Sequence, residues 1–410
     1  MSKRVKYLSS IRAVSSLLGP AFVAAVAYVD PGNFAANFSA GAQYGYTLLW
    51  VLVAATLMAS LVQYLSAKVG LVTGKSLPEV IAEKLSDKNR IAYWLQAEVV
   101  AAATDVAEVI GGAIALQLLF GLPLVAGGII TGLVSFLLLF LYSRRGQKLF
   151  ERVIVGLLLI IPIGFFTGLI ISPPHAHDVI SGLLPRLSDE NMILLAVAML
   201  GATIMPHVVY LHSALARDRH GRVAAKRLKE YLKITRIDVL IAMIIAGSVN
   251  IAMLLLAASA LQGLAHADTL SGIFSGLSRH LGMLVAFLFA LGLLVSGLAS
   301  TAVGSYAGAV IMQGMLRRRI SPAIRRLIVT IPAIILLIIN IDPTQALVIS
   351  QVALSFGIPF ALVPLALVSG SKKIMGLAAN RILTQGLIWI ITGLVIGLNV
   401  ALIVLTFVKK

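Results

Sequence analysis

Ala27-Tyr28-Val29-Asp30-Pro31-Gly32-Asn33 and Gly201-Ala202-Thr203-Ile204-Met205-Pro206-His207 each lie in the middle of a long apolar run. Proline lacks the amide hydrogen that a helix interior needs, and its ring clashes with the preceding turn. Each stretch therefore interrupts a helix and frees backbone carbonyls and amides. Hydrocarbon offers these groups no partner, so such a defect persists where it is packed in protein or lines a polar cavity.

Working outward, apolar runs of roughly 20 residues, the length that spans a bilayer core, recur along all 410 residues. Eleven spans are expected, at 13–38, 47–67, 91–119, 122–141, 153–173, 191–215, 237–261, 283–315, 327–341, 344–369 and 383–408. The chain is 59% hydrophobic and 12% charged, a balance that suits lipid and excludes a water-soluble globule. No stretch is left over for a soluble domain, so residues 1–410 are read as one all-α integral membrane domain. Met1 to Arg12 is basic and runs into the first span without a small-residue cleavage site, which predicts an uncleaved anchor. Cysteine is absent, excluding disulfides, thiolate metal sites and cysteine nucleophiles.

A net charge of +17 raises nucleic acid as a partner. The positions of the charges argue against it, because they sit between spans. With alternate loops on opposite sides, 29 of the 33 Lys and Arg fall on one side, and only Arg186, Arg279, Lys409 and Lys410 on the other. The positive-inside rule then puts the N-terminus in the cytoplasm and the C-terminus outside, in a cell (inner) membrane. The basic loop from Arg217 to Arg236 is read as a topology determinant.

Five spans separate the two breaks, an odd number, so the second half enters from the opposite side. Spans 1–5 (13–173) and 6–10 (191–369) read as inverted repeats, with span 11 (383–408) peripheral. Discontinuous helices at matching places in inverted halves point to the midplane binding site of a transporter.

Asp30 before Pro31 reads as an N-cap followed by proline at the first helical position. It also reads as an ion ligand, because a serine would cap without a charge that costs roughly 2.5 to 3.5 kcal/mol within a membrane. Asn33, three residues on, can turn its amide oxygen toward the same point. The first break frees carbonyls of which Ala27 is a candidate, the second those near Ala202, and Met205 adds a thioether. A carboxylate, an amide, carbonyls and one soft sulfur suit divalent Mn, Fe, Co or Cd better than Mg or Ca. Packing is the competing reading for Met205, and a helix-to-helix hydrogen bond for Gln351.

Span 3 carries three acids, Glu98, Asp105 and Glu108, along one face at about 100° per residue. They read as a proton path or as ion-pair partners for Arg325 and Arg326, which otherwise read as cytoplasmic anchors at the start of span 9. His207 follows the second break and belongs to a residue type that titrates near neutral pH, so it reads as a relay or as a structural hydrogen bond. His212 is placed in the surroundings of the site.

These residues resemble the Nramp family of divalent metal transporters, whose first span carries Asp-Pro-Gly-Asn and whose sixth carries Met-Pro-His. The likeness extends to Gly19-Pro20, to Glu98 through Glu108, to Arg325-Arg326 and to Gln351. It implies the fold of amino-acid symporters with two inverted five-helix repeats, and proton-coupled uptake of Mn or Fe. It further implies metal ligation by Asp30, Asn33 and Met205, joined in some conformations by the carbonyls of Ala27 and Ala202 and the amide of Gln351. Proton movement is implied for Glu98, Asp105, Glu108 and His207. The short, eleven-span form looks like a bacterial manganese transporter.

The expected partners are divalent metal ions, protons and the lipid bilayer, with no nucleic acid, no obligatory protein partner and no cofactor beyond the transported ion. A sodium-coupled symporter of an organic nutrient is the rival, disfavoured because Asp30 would repel a substrate carboxylate. A metalloprotease would need a His-Glu-x-x-His spacing, which is absent from the sequence.

Overall fold

The computed structural model describes residues 19–145, 156, 161–264, 267–317 and 322–408. The anchor reading of Met1–Arg12, the first residues of spans 1 and 5, and Lys409 and Lys410 lie outside the described residues. Among the described residues all regular structure is helical. In order the helices are α1 (Pro20–Ala27), α2 (Pro31–Tyr44), α3 (Leu49–Thr73), α4 (Leu77–Ala82), α5 (Asp87–Phe120) and α6 (Leu124–Arg145). Next come α7 (Ile161–Ile171), α8 (Ala176–Ser181), α9 (Glu190–Thr203), α10 (Pro206–His220), α11 (Ala225–Ala260) and α12 (Leu270–Leu281). The chain closes with α13 (Met283–Leu316), α14 (Pro322–Ile338), α15 (Pro343–Gly370), α16 (Lys372–Met375) and α17 (Ile382–Val408).

Seven segments are each long and apolar enough to cross a bilayer: Leu49–Thr73, Asp87–Phe120, Glu190–His220, Ala225–Ala260, Met283–Leu316, Pro343–Gly370 and Ile382–Leu405. The broken pair α1/α2 and the shorter α6, α7 and α14 occupy the other four of the eleven expected positions. Both breaks fall where the sequence puts them, with α1 ending at Ala27 and α2 starting at Pro31, and α9 ending at Thr203 and α10 starting at Pro206.

The packing repeats itself when five is added to each span number. The first span (α1/α2) packs on the seventh (α11), and the sixth (α9/α10) packs on the second (α3). The third (α5) lies on the eighth (α13), and the fourth (α6) on the ninth (α14). Phe34 and Phe38 of the first meet Phe165 of the fifth, as the sixth meets the tenth (α15). An interchange of this kind is what two copies of one five-helix unit produce. Span 11 (α17) stands outside it, against α15 and α9.

Two boundaries differ from the sequence reading. The ninth span starts at Pro322, so Arg325 and Arg326 are not loop charges but buried residues, 4% and 0% exposed. Pairing with acids, described below, offsets the cost of bringing them inside. Lys68, also counted in a loop, lies within α3 and sends its ammonium to Asn380 Oδ1 at 2.9 Å.

Helix α15 contains two prolines, Pro359 and Pro364. A helical carbonyl bonds the amide four residues on, so these prolines leave the carbonyls of Ser355 and Phe360 without their usual donors. Side chains from other helices replace them. Asn399 of α17 donates to the Ser355 carbonyl at 3.0 Å, while the phenols of Tyr93 and Tyr210 donate to that of Phe360.

Candidate functional site

The same rule of four applies at the two breaks. The donor to Ala27 would be residue 31 and the donor to Ala202 would be residue 206, and both are proline. Each break thus exposes one carbonyl that no helical amide can satisfy. The neighbouring carbonyls of the first break are taken: Asn250 donates to Tyr28 at 2.7 Å and the Ser296 hydroxyl donates to Val29.

Asp30 is buried and caps α2, its Oδ1 accepting the Asn33 amide at 2.8 Å and Asn33 Nδ2 at 2.8 Å. Its role as a cap is therefore real, yet it uses only one oxygen. Asn33 Nδ2 reaches across to the Ala202 carbonyl at 3.1 Å, tying the two breaks together. Asp30 Oδ2, Asn33 Oδ1 and Gln351 Oε1 are buried with no hydrogen-bond partner. Unpaired buried oxygens are costly, and three of them at one crossing make an environment that a cation would relieve.

Glycine makes the crossing possible. A methyl at Gly32 would overlap the Gln351 amide, and one at Gly201 would overlap the Gln351 main-chain carbonyl. Both breaks therefore touch the same turn of α15. Met205 is fully buried at the residue before Pro206. Among the described residues no three His, Cys, Asp or Glu side chains gather into a metal-holding group. The polar groups gathered here are the Asp30 carboxylate, the amides of Asn33 and Gln351 and the Ala202 carbonyl, with the Met205 thioether at the second break.

The acids of α5 form a continuous ladder with the arginines of α14. Arg325 bonds Glu98 at 2.7 Å and Asp105 at 2.7 Å; Arg326 bonds Asp105 at 2.9 Å and Glu108 at 3.2 Å. Glycines of α13 make room: a methyl at Gly308 would overlap the Arg325 guanidinium, and one at Gly304 would crowd Glu108 Oε1. The pairing reading is thus realised, but three carboxylates face two guanidiniums. Glu108 Oε1 is left without a partner. The ladder starts at Glu98, whose side chain is 18% exposed, and ends one turn before Gly111, which packs on Pro31 beside Asp30.

His207 is buried, and neither ring nitrogen has a hydrogen-bond partner, so the structural-bond reading finds no support. His212 contacts Gln63 Oε1 through Nδ1 at 2.7 Å, and Gln63 donates to the Tyr28 hydroxyl. This chain joins α1, α3 and α10 on the side of the site that the charge pattern assigns to the cytoplasm. Toward the opposite face a cavity of about 940 Å³ opens, bordered by Ser39, Gln43, Asn191, Asp268, Asp342 and Gln345. Sequence reading missed Gln63, Asn250 and Ser296, although each is a polar residue inside an apolar span, a visible signal.

A model of the Nramp family, described as natural resistance-associated macrophage protein-like, matches residues 21–405. The divalent metal cation transporter MntH of Mycobacterium tuberculosis H37Rv is 55% identical over 399 residues, 97% of this chain and 93% of that protein. A crystal structure of the Eremococcus coleocola manganese transporter, in complex with an aromatic bis-isothiourea substituted compound, superposes with a TM-score of 0.87 at 30% identity, covering 95% of this chain and 86% of that one. Mhp1, a nucleobase-cation-symport-1 family transporter, shares the fold alone: TM-score 0.63, 13% identity, 94% of this chain and 91% of that one.

Proposed function

This chain belongs to the Nramp family, and we propose that it imports divalent transition metals, Mn and also Fe, Co and Cd, coupled to protons. The ion is held by Asp30, Asn33 and Met205, with the carbonyls of Ala27 and Ala202 and the amide of Gln351 contributing as the protein changes conformation. The observation that carries this reading is the crossing itself, where the Ala202 carbonyl, a half-used carboxylate and unpaired amide oxygens meet. The named relatives are transporters of divalent metal or manganese, and that supports the same class of cargo here.

Three carboxylates against two guanidiniums leave one negative charge in a low-dielectric interior, a state that favours uptake of one proton. Glu98, Asp105 and Glu108, with Arg325 and Arg326, form the proton route in this proposal, and His207, which follows Pro206, takes part in it. Residues 13–173 and 191–369 are the two inverted repeats around the midplane site in this reading, with 383–408 at the periphery. The N-terminus is cytoplasmic and the C-terminus outside. Access alternates, the outer cavity leading in while Tyr28, Gln63 and His212 close the cytoplasmic side. An inside-negative potential favours each inward charge by roughly 2.3 kcal/mol per 100 mV.

Uptake by reconstituted vesicles, with Mn, Ca and Mg compared and internal pH recorded, tests the proposal. Saturable Mn uptake with internal acidification is expected, and Asp30→Ala should abolish it. Retained saturable Mn uptake in that variant would remove the site assignment. Metal uptake with no proton signal would remove the coupling while leaving the cargo.

A further inference from the structure

The Phe360 carbonyl is an unusual node. Its helical donor would be residue 364, which is proline, and two phenols from two other helices stand in for it. Tyr210 of α10 donates at 3.1 Å, Tyr93 of α5 donates as well, and the two hydroxyls are 2.9 Å apart. Tyr210 is buried. The node thus joins the helix of the acid ladder (α5), the half-helix that follows Met205 (α10) and the helix that carries Gln351 (α15).

We propose that Tyr93 and Tyr210 are positioning residues that latch these three helices together while the cytoplasmic side is closed. The physical argument is one of partners. Inside a membrane a carbonyl without a donor is penalised even where its residue faces lipid, and here the donors are supplied by two other helices, which on the alternating-access reading part from α15 as the site opens inward. Closure is therefore favoured by a hydrogen bond that opening removes. Had residue 364 been anything but proline, the carbonyl would be satisfied within α15 and indifferent to whether α5 and α10 stay.

Either phenol can serve the carbonyl, so each single loss should be mild and only the double loss should orphan it. The inference rests on alternating access, but its assay reads exposure instead of transport, so it can fail while metal uptake stands. The chain has no cysteine, so Ala361→Cys, beside the node and fully buried, gives a unique reporter. In inside-out vesicles, labelling by a membrane-impermeant maleimide should be close to that of the parent in Tyr93→Phe or Tyr210→Phe. It should rise about tenfold in Tyr93→Phe/Tyr210→Phe, equivalent to roughly 1.4 kcal/mol.

Pro364→Ala is the discriminating background, because it restores an amide to the Phe360 carbonyl. There the double phenylalanine variant should label within about twofold of Pro364→Ala alone, a margin of well under 1 kcal/mol. Unchanged labelling of the double variant, or an equal rise with and without Pro364, would overturn the proposal, the second outcome showing that the phenols act by packing.

Discussion

Single atoms decide the candidate site, and glycine is the clearest case. Gly32 has no Cβ, and that missing atom is the space the Gln351 amide occupies. Because the obstructed atom is the end of a flexible side chain, Gly32→Ala should fold normally while displacing Gln351 from the crossing. The expected outcome is metal uptake with KM raised about tenfold at matched protein content, roughly 1.4 kcal/mol of lost binding; an unchanged KM would mean that Gln351 does not meet the ion. Nothing in the sequence could rank Gly32 above the other glycines, since its importance lies in what approaches it from residue 351. Asp30 was legible for the opposite reason, its chemistry and its proline neighbour being adjacent in the chain. Outside the spans, Glu79 illustrates pH. Burial pushes its carboxyl up, but hydrogen bonds from the Ser76 amide and hydroxyl and the Arg217 guanidinium outweigh this and hold it below its ordinary 4.5. A carboxyl depressed on folding contributes stability above its unfolded pKa and loses it as pH falls through the folded one. Glu79→Gln should therefore lower the thermal midpoint at pH 6 to 8, with the difference from the parent held down to pH 4.5 and shrinking only as pH falls further through the depressed folded value; a pH-independent difference would assign the effect to packing.

At the scale of elements, α1 borrows its stability from a neighbour. It has eight residues, too few to hold together unaided, and its first amides are capped from elsewhere: Asp238 of α11 accepts Gly19 N at 3.2 Å and Ala21 N at 3.1 Å. Asp238→Asn weakens that cap by removing the charge that favours a helix N-terminus. Cysteine at Phe22, partly exposed on α1, should then label from the cytoplasmic side several-fold faster, in line with about 1 kcal/mol for a lost cap. Equal labelling would show that α1 is held by its apolar face. The elements themselves were largely readable, because hydropathy and proline mark spans and breaks directly. What hydropathy hides is a charge carried inside by partners. Arg325 and Arg326 look like loop residues until Glu98, Asp105 and Glu108 are seen opposite them, and those acids are more than 200 residues away in the chain.

For the whole molecule, the proposed orientation rests on the distribution of Lys and Arg, and it can be checked in intact cells. A cysteine at Leu184, exposed after α8, should react with an impermeant maleimide from outside, and one at Lys88, exposed at the start of α5, only after the membrane is breached. The reverse pattern would invert the direction of transport assigned to the two faces. The n-to-n+5 packing was foreseeable from the odd count of spans between the breaks, whereas the outer cavity was not, since it lies among loop residues with no common pattern. Its size has a consequence for how an ion sheds its water. At about 30 Å³ per molecule, 940 Å³ admits roughly thirty waters, enough to carry a divalent ion with its first hydration layer intact. The cavity reaches Ser39, six residues or about 9 Å along α2 from Asn33. On the proposed route dehydration is thereby compressed into the last two turns before the site, beside the oxygens proposed to replace the water, so the ion need never be both stripped and unheld.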